Sequence, residues 1–160
     1  MKKSILLLVV FALVITTSAQ NKKEVKVSEK AKATFAKLYP TVKEVKWGKE
    51  GKSEYEAEFK FEGKATSLVI DEQGNLKETE TDIAKSELPK GVDEFVAKNH
   101  KGWTISEAAK IVDAKGNITF EAQISKDKLK KDIIFAQDGK PVVKKEAKDE
   151  KDEKDEKEEK

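Results

Sequence analysis

The 160-residue chain contains no cysteine and, among its 33 basic residues, no arginine. The missing thiols exclude disulfides, thiolate metal centres and cysteine nucleophiles, so the fold must rest on its apolar core alone. The missing guanidinium removes the side chain best suited to bidentate recognition of phosphate, carboxylate and guanine. Setting aside Lys2 and Lys3 leaves 31 lysines against 31 acids. With no net positive field, nucleic acid is not an expected partner. His100 is the one histidine. Without a cysteine or second histidine, neither a Cys–His dyad nor a histidine-based zinc site can be built, and no Gly-x-Ser-x-Gly elbow presents a serine. Its plain reading is a residue at a helix C-terminus, favoured there by the helix dipole. Acids are plentiful, since 40% of the chain is charged. Nothing, however, singles out one pair for glycosidic chemistry or supplies an apolar pocket to raise one acid. The chain is therefore read as a non-enzyme, with no catalytic residue, no metal and no cofactor assigned.

Long apolar runs are also scarce. The one conspicuous run, Ile5 to Ile15, follows a basic Met1-Lys2-Lys3 start and precedes small residues at Thr17-Ser18-Ala19. This is the pattern of a cleavable export signal over residues 1–19, and the run is too short to span a bilayer. No stable membrane anchor is expected after its removal, nor a lipid anchor, because no cysteine follows it. The product is expected in the periplasm or secreted. At the other end, Lys-Asp-Glu recurs three times from Lys148 to Glu156. Residues 146–160 read as a disordered, solvating tail that cannot bury enough surface to offset its ordering entropy.

Between these ends the apolar residues are few but regularly placed. Tyr55, Ala57, Phe59 and Phe61 alternate with Glu54, Glu56, Glu58, Lys60 and Glu62, the period of a half-buried strand. Glu62-Gly63 turns the chain, Leu68-Val-Ile70 climbs back, and Asp71 to Asn75 turns it again. The pattern returns from Thr119 to Lys140: Tyr55-Glu-Ala-Glu-Phe59 aligns with Phe120-Glu-Ala-Gln-Ile124, and Gly74 with Gly139, each pair 65 apart. Ahead of the first copy, Ser28 is a candidate N-cap for a helix whose inner face is Ala31, Phe35 and Leu38, ended by Tyr39-Pro40. Val42 to Trp47 reads as a strand with Val45 and Trp47 turned to the core. Leu76 to Ile83 reads as a polar strand at a sheet edge. Ahead of the second copy, Val92, Phe95 and Val96 mark a shorter helix ending near His100. Trp103 to Val112 is then a strand, and Pro141 to Val143 a closing edge strand. The expected fold class is α+β: two tandem units, each of one helix plus about four antiparallel strands. After a polar lead-in (20–27), the units cover 28–83 and 84–145.

Pro40 through Asp82, with Lys43-Glu-Val-Lys-Trp47, the Ile70-to-Asn75 turn and Glu78-Thr-Glu-Thr81, resembles the PepSY-like family. Leu88-Pro-Lys-Gly-Val92, Phe120 to Ile124 and Ala136-Gln-Asp-Gly-Lys140 resemble a second copy. That family is exported from Gram-negative bacteria and is similar to beta-lactamase-inhibitor proteins. The resemblance covers about Ser28 to Lys145 and implies tandem, beta-lactamase-inhibitor-like units with a concave open sheet face. In the inhibitors themselves that face grips an enzyme with aromatic and histidine side chains. Here the matching positions are Glu54, Glu56, Glu58, Thr119, Glu121 and Gln123, so inhibition of that enzyme does not carry over.

The expected function is an exported binding module that meets an unidentified envelope protein or peptide through its open sheet faces. Its candidate residues are Glu54, Glu56, Glu58, Lys60, Trp103, Glu121 and Gln123. The alternative is a cation-binding or envelope-buffering protein that uses the same acidic row and the tail. Against that alternative stands a plain reading, in which the glutamates form a solvated face with cross-strand lysine partners. Asp71 to Asn75 is superficially like a calcium loop but lacks its distal bidentate acid, and a hairpin turn explains it.

Overall fold

The computed structural model describes residues 25–142. The export signal, most of the lead-in, residues 143–145 of the second unit and the charged tail lie outside them. Ser28 caps α1 (Glu29–Leu38): its extended backbone and its hydroxyl, which accepts from the Ala31 N–H at 3.1 Å, satisfy a donor that the first turn would otherwise leave open. Ala31 and Phe35 point inward. Leu38, expected beside them, is 45% exposed, because the helix ends there and Tyr39 takes the inner position.

Four strands follow: β1 (Val45–Glu50), β2 (Glu54–Phe61), β3 (Lys64–Asp71) and β4 (Leu76–Asp82). A 3-10 turn at Lys85–Glu87 leads into α2 (Val92–Asn99), which is followed by β5 (Thr104–Asp113), β6 (Ile118–Lys126) and β7 (Leu129–Ala136). His100 caps α2, as its position suggested. The strands pair in chain order, all antiparallel, in one seven-stranded sheet.

One expectation is corrected by that sheet. The segment from Leu76 is no edge strand; β4 lies in the middle, paired with β3 on one side and β5 on the other. It is polar because each helix covers its own half, packing against β3 or β5. Thr79 and Thr81 therefore fill inner positions between the two cores, where little apolar mass is required. Pro141 bridges to Phe135 and the Val142 N–H donates to the Ile134 carbonyl at 2.8 Å, while Val143, the last residue of the expected closing strand, lies outside the described residues.

Both helices lie on one face of the sheet. Under α1, Phe35 is packed by Tyr55, Ala57, Phe59, Leu68 and Ile70, with Trp47 and Leu76 at the margin. Under α2, Val92 meets Ala122 and Phe135, flanked by Phe95, Ile105 and Phe120. The period-2 reading of β2 and β6 is thus correct in both register and direction. Among the described residues, no helix lies over the opposite face.

Candidate interaction face

Strand alternation sends every second residue to the open face, and the register decides which ones meet. Glu54, Glu56, Glu58 and Lys60 of β2 all stand there. Glu58 lies opposite Ser67, which lies opposite Glu80; Glu56 lies opposite Val69, which lies opposite Glu78. Farther across, Asp82 opposes Ala109, which opposes Glu121, and Glu107 opposes Gln123, which opposes Asp132. Acids thus stand on β2, β4 and β6, with Glu107 of β5 and Asp132 of β7 beside them and Ser67, Val69 and Ala109 between. Lysines stand at the margins: Lys46 on β1 is paired with Glu58, Lys130 on β7 reaches Glu107 at 3.1 Å, Lys77 near the start of β4 reaches Asp71 at 2.8 Å beside Glu54, and Lys60 stands at the end of β2.

The structure brings together six of the seven expected residues on this face. It leaves out Trp103, which precedes β5 in the turn after α2, its N–H donating to the carbonyl of His100. The expectation of a solvated face is also corrected. Glu56 is 6% exposed, Glu121 8% and Gln123 3%, each on an inner strand flanked by paired strands on both sides. Glu80, Asp82, Glu107 and Asp132 belong to the same band but were not expected there. The signal was present in the alternation of Glu78, Glu80 and Asp82; assigning the strand to an edge concealed it.

Crowding changes the acidity of these groups. Burial pushes Glu80 up to about 8, with repulsion from Glu121, Glu78, Glu56 and Asp82 adding to it. Burial pushes Glu56 up to about 7, aided by Glu58 and Glu50; the Ser67 hydroxyl and Lys46 pull the other way. Asp82 and Asp132 are raised mainly by burial as well. Asp71 shows the opposite outcome. Burial alone would raise it, yet hydrogen bonds from Lys77 and from the side chain and backbone of Asn75 hold it at about 2. Its Oδ1 also accepts from the N–H of Gln73 at 3.0 Å. That carboxylate is consumed by its own turn, so the segment is a hairpin turn and not a calcium loop. Among the described residues, no three acidic or histidine side chains converge as metal ligands.

No family model matches the sequence, and no curated protein matches it. Solved structures do. A DUF2874 family protein from Bacteroides uniformis aligns with a TM-score of 0.64 at 24% identity, covering 73% of this chain and 87% of that one. A Bacteroides eggerthii protein, named as a proposed periplasmic protein, gives 0.64 at 20% identity over 73% and 86% of the two chains. A BLIP-like protein from Bacteroides fragilis gives 0.58 at 21% identity over 74% and 85%. The fold is BLIP-like. In this BLIP-like sheet the face opposite the helices carries the acidic band, and among the described residues no helix of the chain's own covers it.

Proposed function

We propose that the chain is an exported, non-enzymatic module of PepSY-like type that binds a protein or peptide across the open face of its sheet. One observation carries the reading: Glu56, Glu80 and Glu121 are crowded together on a face that no described helix covers, at a cost in desolvation and repulsion that folding alone does not require. The apolar run from Ile5 to Ile15 and the name of the B. eggerthii relative support a periplasmic or secreted location.

A tandem duplication explains how the band is built. The Asp71 N–H donates to the carbonyl of Asn75 at 3.0 Å, and the Ala136 N–H to that of Lys140 at 2.9 Å, 65 residues on. The Gly74 and Gly139 N–H groups each donate, at 2.9 Å, to Asp71 and Ala136 respectively. Ile70 pairs with Leu76, and Phe135 bridges to Pro141, at the same spacing. By that spacing Glu56 and Glu121 are counterparts, and β4 carries Glu80 between them.

The test is crosslinking in the native envelope, with photo-reactive residues placed on the open face or on the exposed side of α1. Recovery of one partner from the open face alone, abolished by E54K, E56K and E58K together, is expected. Recovery of no partner, or of one indifferent to those reversals, overturns the proposal.

A further inference from the structure

The charge on the open face is one of placement and not of composition. Basic and acidic residues are nearly equal in the whole chain, yet the strands turn Glu50, Glu54, Glu56, Glu58, Glu80 and Glu121 to this face among still other acids, against Lys46, Lys60, Lys77 and Lys130. The acids of β2, β4 and β6 stand on alternate strands, roughly 9.6 Å apart, and among the described residues no three converge as ligands for one metal ion. A single ion cannot satisfy such an array; a series of cations along a chain can. Between the acids, Val69, Ala109, Ile111 and Ile134 give a short apolar floor of the kind that lysine methylenes cover while the ammonium seeks a carboxylate. At the far side, Asp132 supplies a separate observation. Its Oδ1 is enclosed and accepts no hydrogen bond, although the neighbouring Gln123 bonds the same carboxyl group.

We propose that this face docks an extended lysine- or arginine-rich segment of another protein, laid across β2, β4 and β6 over Glu56, Glu80 and Glu121, with one donor reaching Asp132. The inference rests on the binding-module reading and gives its partner a chemistry. Glu80 is faced by Glu56 and Glu58 from β2, Ser67 from β3, Glu78 and Asp82 on its own strand, Ile111 and Glu107 from β5, and Glu121 and Gln123 from β6. Because Glu56 and Glu80 hold protons near neutrality, a docking ammonium displaces protons, and binding tightens as pH rises through about 7 to 8.

The test is calorimetry of the full chain with deca-lysine, with deca-glutamate and Ca²⁺ as comparison probes, at about pH 6 and about pH 8. Deca-lysine is expected to bind about tenfold more tightly at the higher pH, with proton release. The near-isosteric pair E56Q and E121Q, checked for folding by circular dichroism, should weaken binding about tenfold, and D132N by less. Deca-lysine binding that is absent, or unchanged in the E56Q/E121Q protein, overturns the inference, as does equal binding of deca-glutamate. Ca²⁺ binding that matches deca-lysine assigns the face to a free cation and overturns it too. If crosslinking instead recovers an open-face partner whose contacting segment is not basic, the inference fails while the binding-module reading stands. If no partner is recovered, that reading fails as well.

Discussion

The two halves of the sheet rest on unequal cores. Beneath α1, Phe35 stands edge-on to Phe59 and Trp47, with centroids 5.1 and 5.6 Å away, and Tyr39 closes on Phe59 and Phe61 at 4.6 and 5.0 Å. Beneath α2, the ring contacts are Phe95 with Phe135 at 5.5 Å and with His100 at 6.0 Å. Where the first half has Phe59, the second has Ile124, 65 residues on. Aromatic pairs contribute beyond their buried area, so the first half holds the larger share of packing energy. One sheet thus rests on two unequal cores, and the second half is the part expected to open first.

The strongest way to break this comparison is to remove the inner helix residue on each side. The C-cap N–H groups of α1 and α2 donate to Phe35 and Val96, which makes these two residues structural counterparts. Phe35→Ala is expected to cost about 3–5 kcal/mol in denaturant unfolding. Val96→Ala removes two buried carbons at about 0.8 kcal/mol each, so roughly 2 kcal/mol. Equal losses would mean that the halves carry equal energy. Hydrogen exchange sharpens the point: amides of β6 and β7 should exchange sooner than those of β2 and β3.

The next contrast is steric. Gly74 and Gly139 both sit at left-handed φ, 86° and 77°, each against the start of a helix. A Cβ on Gly74 would meet the Lys30 carbonyl oxygen at 2.9 Å; one on Gly139 would meet that of Lys90 at 2.1 Å. Each alanine costs about 1–3 kcal/mol in backbone strain. Gly139→Ala should be the worse, because the Lys90 carbonyl would have to move much farther than that of Lys30. A milder loss at Gly139 than at Gly74, measured by thermal unfolding, would show that the second helix gives way easily.

These contrasts also mark what the sequence could tell. The alternation from Glu54 to Phe61 and the Ser28 cap were legible, because short-range periodicity and turn chemistry are local. The position of β4 was not. Its threonines and glutamates look like an edge when read alone, and only the pairing of two halves makes it central. The same limit hid the acidic cluster. Glu56 and Glu121 were visible as candidates, but their burial depends on Glu80 lying between them, a fact of register across the sheet and not of spacing along the chain.

Protonation separates the central band from the turns. Glu80 is raised from 4.5 to about 8 on folding, so the folded state binds a proton that the unfolded chain has already released. That contribution is fully present below about pH 4.5 and is lost as pH rises through 8. Tm is therefore expected to fall by a few degrees, about 2–5 °C, between mildly acidic and mildly basic solution. Glu80→Gln should flatten this decline and raise Tm at the basic end. Asp71, held at about 2, works in the opposite direction: its stabilisation is lost only in strong acid, as pH falls below about 4 toward 2. A Tm that rises across neutrality and ignores Glu80→Gln would remove the crowded band as a physical entity.

The smallest expected effect tests how each helix is started. Ser28 adopts φ −65° and ψ 146°, accepts from Ala31 and donates to the Glu72 carbonyl at 3.0 Å, so one hydroxyl ties α1 to the turn after β3. Ser28→Ala should cost about 1 kcal/mol. The same device cannot simply be installed on the other side. Gly91 begins α2 at φ 92°, a left-handed backbone in which a serine is strained and its hydroxyl is misdirected for the N2 and N3 amides. Gly91→Ser is thus expected to destabilise despite adding a preferred capping residue. If it stabilises instead, α2 can rebuild its first turn, and its uncapped start reflects adaptability and not a fixed geometry.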